Sequence, residues 1–204
     1  GYGPLSEDPS FIQACQNAGL AFIGPSPAAS YNATDRLICR QIMQHAGVPV
    51  ITGTDALPPD RRGERDALRF AEAQGYPVFL KKAAGGDTRS LIAHSSQEVI
   101  NDLDILRAEP DAPGKAPRIY LEQAIPECRH IEVQLLADRR GNVVHLGTRD
   151  CSLRLGRQRM LASGPADLSA NVSERICRDA VAAAQAVGNV NTASVGFLVD
   201  SEQN

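Results

Sequence analysis

The sequence predicts an α/β fold, and three observations carry that reading. Apolar stretches of helical period, closed by glycine, alternate with short β-branched runs along most of the chain. The segment His130-Ile-Glu-Val-Gln-Leu-Leu alternates as a half-buried strand does, and Arg139-Arg-Gly-Asn then turns the chain back into a second apolar run. Of the 204 residues 43% are hydrophobic and 22% charged, a balance that favours a packed core over disorder.

The elements follow in order. Asp8 or Ser10 caps a helix carrying Phe11, Ile12 and Cys15, and Gly19 ends it. Residues 20–23 read as a short strand, 28–46 as one long helix closed by Gly47, and 48–51 as another strand. Pro58, Pro59 and Asp60 mark a linker. A helix over 64–74 ends at Gly75, a strand covers 76–81, and 91–93 forms its return. Ser95 and Glu98 have capping-box spacing before a helix with Val99, Leu103 and Leu106. Strands follow at 118–125, 130–136 and 143–146, then an irregular basic run over 149–159. A helix over 172–187 and a strand over 194–200 complete the chain.

Charge and cysteine usage narrow the function. The net charge of −3 speaks against nucleic acid or an anionic membrane as partner. Lys81, Lys82 and Lys115 are the only lysines, so most positive charge sits on arginine, which makes fixed, forked contacts to carboxylate or phosphate. The five cysteines, Cys15, Cys39, Cys128, Cys151 and Cys177, lack CxxC spacing and read as free buried thiols. With no apolar run long enough to span a bilayer, they predict a cytoplasmic protein. Arg149 and Asp150 read as partners of each other.

One loop poses a chemical problem. After the strand ending in Lys81 come Gly85-Gly86, a start for a nest of backbone N–H groups that would cradle an anion. Asp87 follows, and its repulsion of a phosphate at ~4 Å is on the order of a few kcal/mol per charge pair.

The words GYGPLSE (1–7), FIGPSP (22–27), GYPVFLK (75–81), RHIEVQLLAD (129–138), GNVVHLGTRDCS (141–152) and FLVD (197–200) occur in the order found in biotin carboxylases. On these the chain resembles the biotin carboxylase component of biotin-dependent carboxylases, an ATP-grasp fold, and its pyruvate carboxylase branch most of all. The resemblance implies part of that fold in three lobes: a trimmed βα lobe over 1–54, an α+β lid over 55–124 and part of a central antiparallel sheet over 125–204. It also implies site residues. Lys81 matches the lysine that holds phosphate, Glu122 the acid at the adenine end, and Arg36 a loop lysine. His130 and Glu132 match the histidine and acid near the nucleotide.

The departures from the family are specific. The family's glycine loop reads Gly85-Gly86-Asp87-Thr88-Arg89-Ser90, and its QRRHQK run reads Arg154-Leu155-Gly156-Arg157-Gln158-Arg159. Gly196 stands where the family has a magnesium-binding glutamate. These changes lead to the expectation of a repurposed cleft that has lost ATP- and magnesium-dependent carboxylation. It would bind a small anionic organic molecule, with His130, Arg157 and Arg159 as catalytic groups and Lys81, Glu122, Glu132, Arg154, Gln158 and Arg36 as ligand contacts. The chemistry would be an isomerisation, cyclisation or decarboxylation, without metal and without cofactor, although ATP is what the family uses. Exposed sheet edges predict a homo-oligomer. A non-catalytic regulatory paralogue and a truncated ATP-binding biotin carboxylase are the alternatives.

Overall fold

The computed structural model describes residues 3–83, 90–109, 116–156 and 158–203. In chain order these form α1 (Pro9–Asn17), α2 (Pro27–Thr34), α3 (Arg36–His45), α4 (Arg61–Gln74), β1 (Val78–Lys82), β2 (Ser90–Ala93), α5 (Ser96–Arg107), β3 (Ile119–Gln123), β4 (Arg129–Ala137), β5 (Val143–Asp150), β6 (Arg154–Leu155), β7 (Gln158–Arg159), α6 (Ala170–Val187) and β8 (Asn191–Val199). The chain divides into two compact units. One comprises Gly1–Ala33, Ile42–Pro49 and Ile125–Asn204, the other Thr34–Gln41 and Val50–Ala124.

The unit over Val50–Ala124 is an antiparallel sheet in the order β2-β1-β3. Alternation along β1 buries Val78 and Leu80 with Ala67 and Ala71 of α4 and Val99, Leu103 and Leu106 of α5. Phe79 and Lys81 therefore take the opposite face, across from Glu122 and Tyr120 of β3 in the ladder. Asp60 caps α4 through the Arg62 amide. The capping box at α5 is present, with the Glu98 amide donating to Ser95 Oγ and the Glu98 carboxylate accepting from the His94 amide.

The first part of α3 belongs to this unit and buries Leu37 against Tyr120 and Ala83. The single helix expected over 28–46 is broken at Asp35. Its carboxylate accepts from the Leu37 and Ile38 amides at 3.2 and 3.1 Å and is bonded to Arg118 Nη2. A buried carboxylate that caps the second helix cannot also continue the first. The strand expected over 48–51 is displaced. Ladder-like bonds to β3 begin at Thr52, with the Gln123 amide donating to the Thr52 carbonyl and the Thr54 amide to the Leu121 carbonyl, both at 2.9 Å.

The other unit is an antiparallel sheet in the order β5-β4-β8, with α6 packed on one face. Ile131, Val133 and Leu135 of β4 meet Ile176, Cys177, Ala180 and Ala184 of α6. Gly188 ends α6 in the left-handed region, φ 71°. Asp138 closes the β4–β5 turn by accepting from the Arg140 and Asn142 amides. Residues 20–23 form no strand, because they meet no ladder partner; the segment is held instead by Asn191 Nδ2 donating to the Gly24 carbonyl at 2.9 Å.

All five cysteines are free thiols, but only Cys151 and Cys177 are buried. Among the described residues no helix is long and apolar enough to cross a membrane.

Candidate functional site

In the unit carrying β1 and β3, alternation places Lys81 and Glu122 on one face, and Lys81 Nζ donates to Glu122 Oε2. Both side chains are mostly buried, 18% and 13% exposed, so the pair is shielded from water. The ammonium also lies 5.1 Å from the centre of the Phe79 ring. Arg36 opens α3, its amide donating to the Ala83 carbonyl at 2.9 Å. Its guanidinium and Glu122 both act on the buried Tyr120 phenol. Burial first, and then the Glu122 charge, push that phenol's pKa up to about 12. Sequence reading missed Tyr120 and also Arg40, whose guanidinium lies 5.5 Å over the Tyr120 ring. The signal was there for Arg40: it follows Leu37 by three residues and so shares its helix face.

In the other unit, β4 brings His130 and Glu132 to the sheet face opposite α6. Glu132 is buried and is paired with Arg149 on β5 and Gly196 on β8. Its two oxygens are taken by two arginines: Arg159 Nη2 donates to Oε1, and Arg149 Nη2 to Oε2 at 3.1 Å. The expected Arg149–Asp150 pair does not form, since neighbours along a strand point to opposite faces. Asp150 is instead bonded to Arg129 Nε and Nη2 at 3.0 and 2.8 Å. Burial first, and then the Glu132 charge, push the Cys151 thiol pKa up, against Arg159 and Arg149.

His130 has a defined tautomer. Arg154 Nη1 lies 2.9 Å from Nδ1, and a guanidinium can only donate, so Nδ1 accepts and Nε2 carries the proton. Nε2 faces Glu132 Oε1 at 3.8 Å. Burial pushes the imidazole below its ordinary pKa of 6.5; Arg154 and Arg159 add to this, against Glu132 and Asp150. Gln158 sits on the exposed β6–β7 hairpin. Of the expected contacts, this unit thus gathers His130, Glu132, Arg154 and Arg159, and the other gathers Lys81, Glu122 and Arg36. Arg157 and Asp87 lie outside the described residues.

A Cβ built on Gly196 would stand 2.9 Å from His130 Nε2. The imidazole is the free end of a rotatable side chain, so Gly196→Ala should change stability by less than about 1 kcal/mol while moving the ring. The Arg154 contact should be lost and the His130 pKa should rise toward its ordinary value. A depressed histidine gives stability that is full above the unfolded pKa of about 6.5 and is lost as pH falls below it, so the variant should lose less on acidification. An NMR titration of the His130 ring checks this, and an unchanged pKa would refute it.

The sequence comparisons place these sites in a family. Residues 35–204 match the carbamoyl-phosphate synthase L chain ATP-binding domain, and residues 1–30 match the biotin carboxylase N-terminal domain. The chain belongs to the carbamoyl-phosphate synthase L chain ATP-binding domain family. It is 35% identical over 202 residues to biotin carboxylase 1 of Bacillus subtilis, covering 98% of this chain and 44% of that one. It is 39% identical to the mitochondrial pyruvate carboxylase of Homo sapiens, covering 98% and 17%. The chain thus spans less than half the length of these relatives.

Solved structures agree, and they show the ATP-grasp fold of biotin carboxylases. The biotin carboxylase domain of the 2-oxoglutarate carboxylase of Hydrogenobacter thermophilus matches with a TM-score of 0.88 and 33% identity, over 100% of this chain and 45% of that one. That structure is a dimer in complex with magnesium ADP, ADP and bicarbonate. The Campylobacter jejuni biotin carboxylase in complex with β,γ-ATP matches with a TM-score of 0.85 and 36% identity, over 100% and 46%. These complexes overturn the expectation of no cofactor: the relatives of this chain are nucleotide-binding enzymes.

The residues present fit a nucleotide. Lys81, Glu122 and the rings of Phe79 and Tyr120 share one face of the β1–β3 sheet, and the Arg36 guanidinium reaches the Tyr120 phenol from α3. A magnesium ion fits the β4–β8 face less well. Among the described residues no group of three or more His, Cys, Asp or Glu is placed to hold a metal, and both oxygens of Glu132 are engaged by arginine.

Proposed function

We propose that the chain is the nucleotide-holding part of a biotin carboxylase-type enzyme. The observation that carries this reading is the pairing of Lys81 with Glu122 on one sheet face, with Arg36 at the start of α3 beside Tyr120. Lys81 and Arg36 would bind phosphate oxygens, and Glu122 would accept from the adenine edge. Titration calorimetry with ADP tests it. Binding should be measurable, and Lys81→Ala should weaken it by roughly 1.5–3 kcal/mol, the scale of one hydrogen bond to a charged group. No ADP binding, or no effect of the substitution, would refute the reading.

A second reading has one observation in its favour. Position 196, opposite Glu132, is glycine, and His130 lies against it among Arg154, Arg159 and Glu132. That arrangement suits a small organic anion, and carboxylation would then have been lost. ADP release that depends on bicarbonate and biotin would exclude this second reading.

A further inference from the structure

Arg40 is buried, with 9% of its side chain exposed. Its Nη2 donates to the Thr54 carbonyl, and its nearest carboxylate, Asp55 at 3.9 Å, is 87% exposed. Nε and Nη1 have no hydrogen-bond partner. A buried guanidinium with two unsatisfied nitrogens is costly, so the fold gains if an acceptor can reach it.

Glu122 is placed to be that acceptor. A side chain on Gly53 would collide with Arg40 Nη1, would lie 3.1 Å from Glu122 Cγ, and would press on the Leu121 carbonyl at 2.5 Å. Nη1 and Glu122 Cγ therefore border the same small space, kept open because residue 53 is glycine and bridges to Glu122. The carboxylate is one bond beyond Cγ. Rotation of the side chain carries an oxygen from Lys81 toward Nη1.

We propose that Arg40 is a positioning residue, a second cationic partner held in reserve for Glu122. This rests on the nucleotide reading above. When a phosphate draws Lys81 away, the Glu122 oxygen that Lys81 held turns to Arg40 while the other accepts from the adenine edge, and Lys81 serves the ligand without leaving that oxygen unpaired. Arg40 itself does not touch the ligand.

Two double-mutant cycles test it. The first uses ADP and titration calorimetry. Arg40→Met should weaken ADP binding about tenfold, within the usual range of coupling between sites, and should change it less than about twofold when Glu122→Gln is already present. An unchanged affinity in Arg40→Met, or an equal loss in both backgrounds, overturns the proposal; the equal loss would mean a merely structural role. The second cycle uses thermal melting without ligand. Lys81→Met alone should lower the melting temperature modestly, because Arg40 takes up Glu122. Lys81→Met with Arg40→Met should lower it by more than the two single losses together. Simple additivity overturns the partner exchange. If the unsubstituted protein fails to bind ADP, the nucleotide reading falls, and the melting cycle still decides the exchange.

Discussion

Replacing Glu132 with alanine is expected to destabilise the protein by about 3–5 kcal/mol, the scale of breaking a buried ion pair from one side. Glu132 lies on the central strand of the β5-β4-β8 sheet, and its side chain is 8% exposed. Its removal leaves Arg149 and Arg159 facing each other without the carboxylate between them. Arg149 Nε already lacks a partner, so that guanidinium has no second anchor for its inner nitrogen. Both arginines are partly exposed, 36% and 39%, and can turn toward water, which favours the lower end of the range. Glu132→Gln keeps the shape and one acceptor and should cost less than alanine. Urea unfolding of the two variants checks the order. A loss under about 1 kcal/mol for alanine would mean that the arginines hold their places without it.

The elements legible in the sequence are those whose causes are local. The helix before Gly75, the capping box at Ser95 and the alternation of His130 to Leu136 all appear as expected, because their signals lie within a few residues. The failures have remote causes. Residues 20–23 and 48–51 have strand composition, but a strand needs a ladder partner, and composition does not reveal where one lies. The helix break at Asp35 combines a local cap on the Leu37 and Ile38 amides with a bond to Arg118, 83 residues away. Of the residues that the resemblance singled out, the structure brings Lys81 to Glu122 in one unit and His130 to Glu132 in the other. The partner of Arg149 followed only from the β4–β5 register, in which Glu132 and not Asp150 faces it. Tyr120 and Arg40 escaped notice because a tyrosine in a strand and an arginine on a helix read as ordinary core and surface.

Asp35 carries the second large expected effect. The first turn of α3 has three amides that the helix itself cannot satisfy, and all three are met from outside it. The Arg36 amide donates to the Ala83 carbonyl at 2.9 Å, and the Leu37 and Ile38 amides donate to Asp35 Oδ1. The other carboxylate oxygen is bonded to Arg118 Nη2. Asp35→Ala removes the cap, worth about 1 kcal/mol, and a charge-assisted bond, worth about 1.5–3 kcal/mol. The expected loss is therefore about 2–4 kcal/mol, with Arg118, 41% exposed, recovering part of its solvation. Asp35→Asn separates the two contributions, because asparagine caps a helix as well as aspartate does but brings no charge to Arg118. Asparagine should retain the capping share and lose only part of the rest. The start of α3 also fixes Arg36, so ADP affinity should fall with alanine and recover with asparagine. Urea unfolding and calorimetry on both variants measure the two quantities, and equal losses for alanine and asparagine would show that the cap contributes nothing and that the charge on Arg118 is the whole effect.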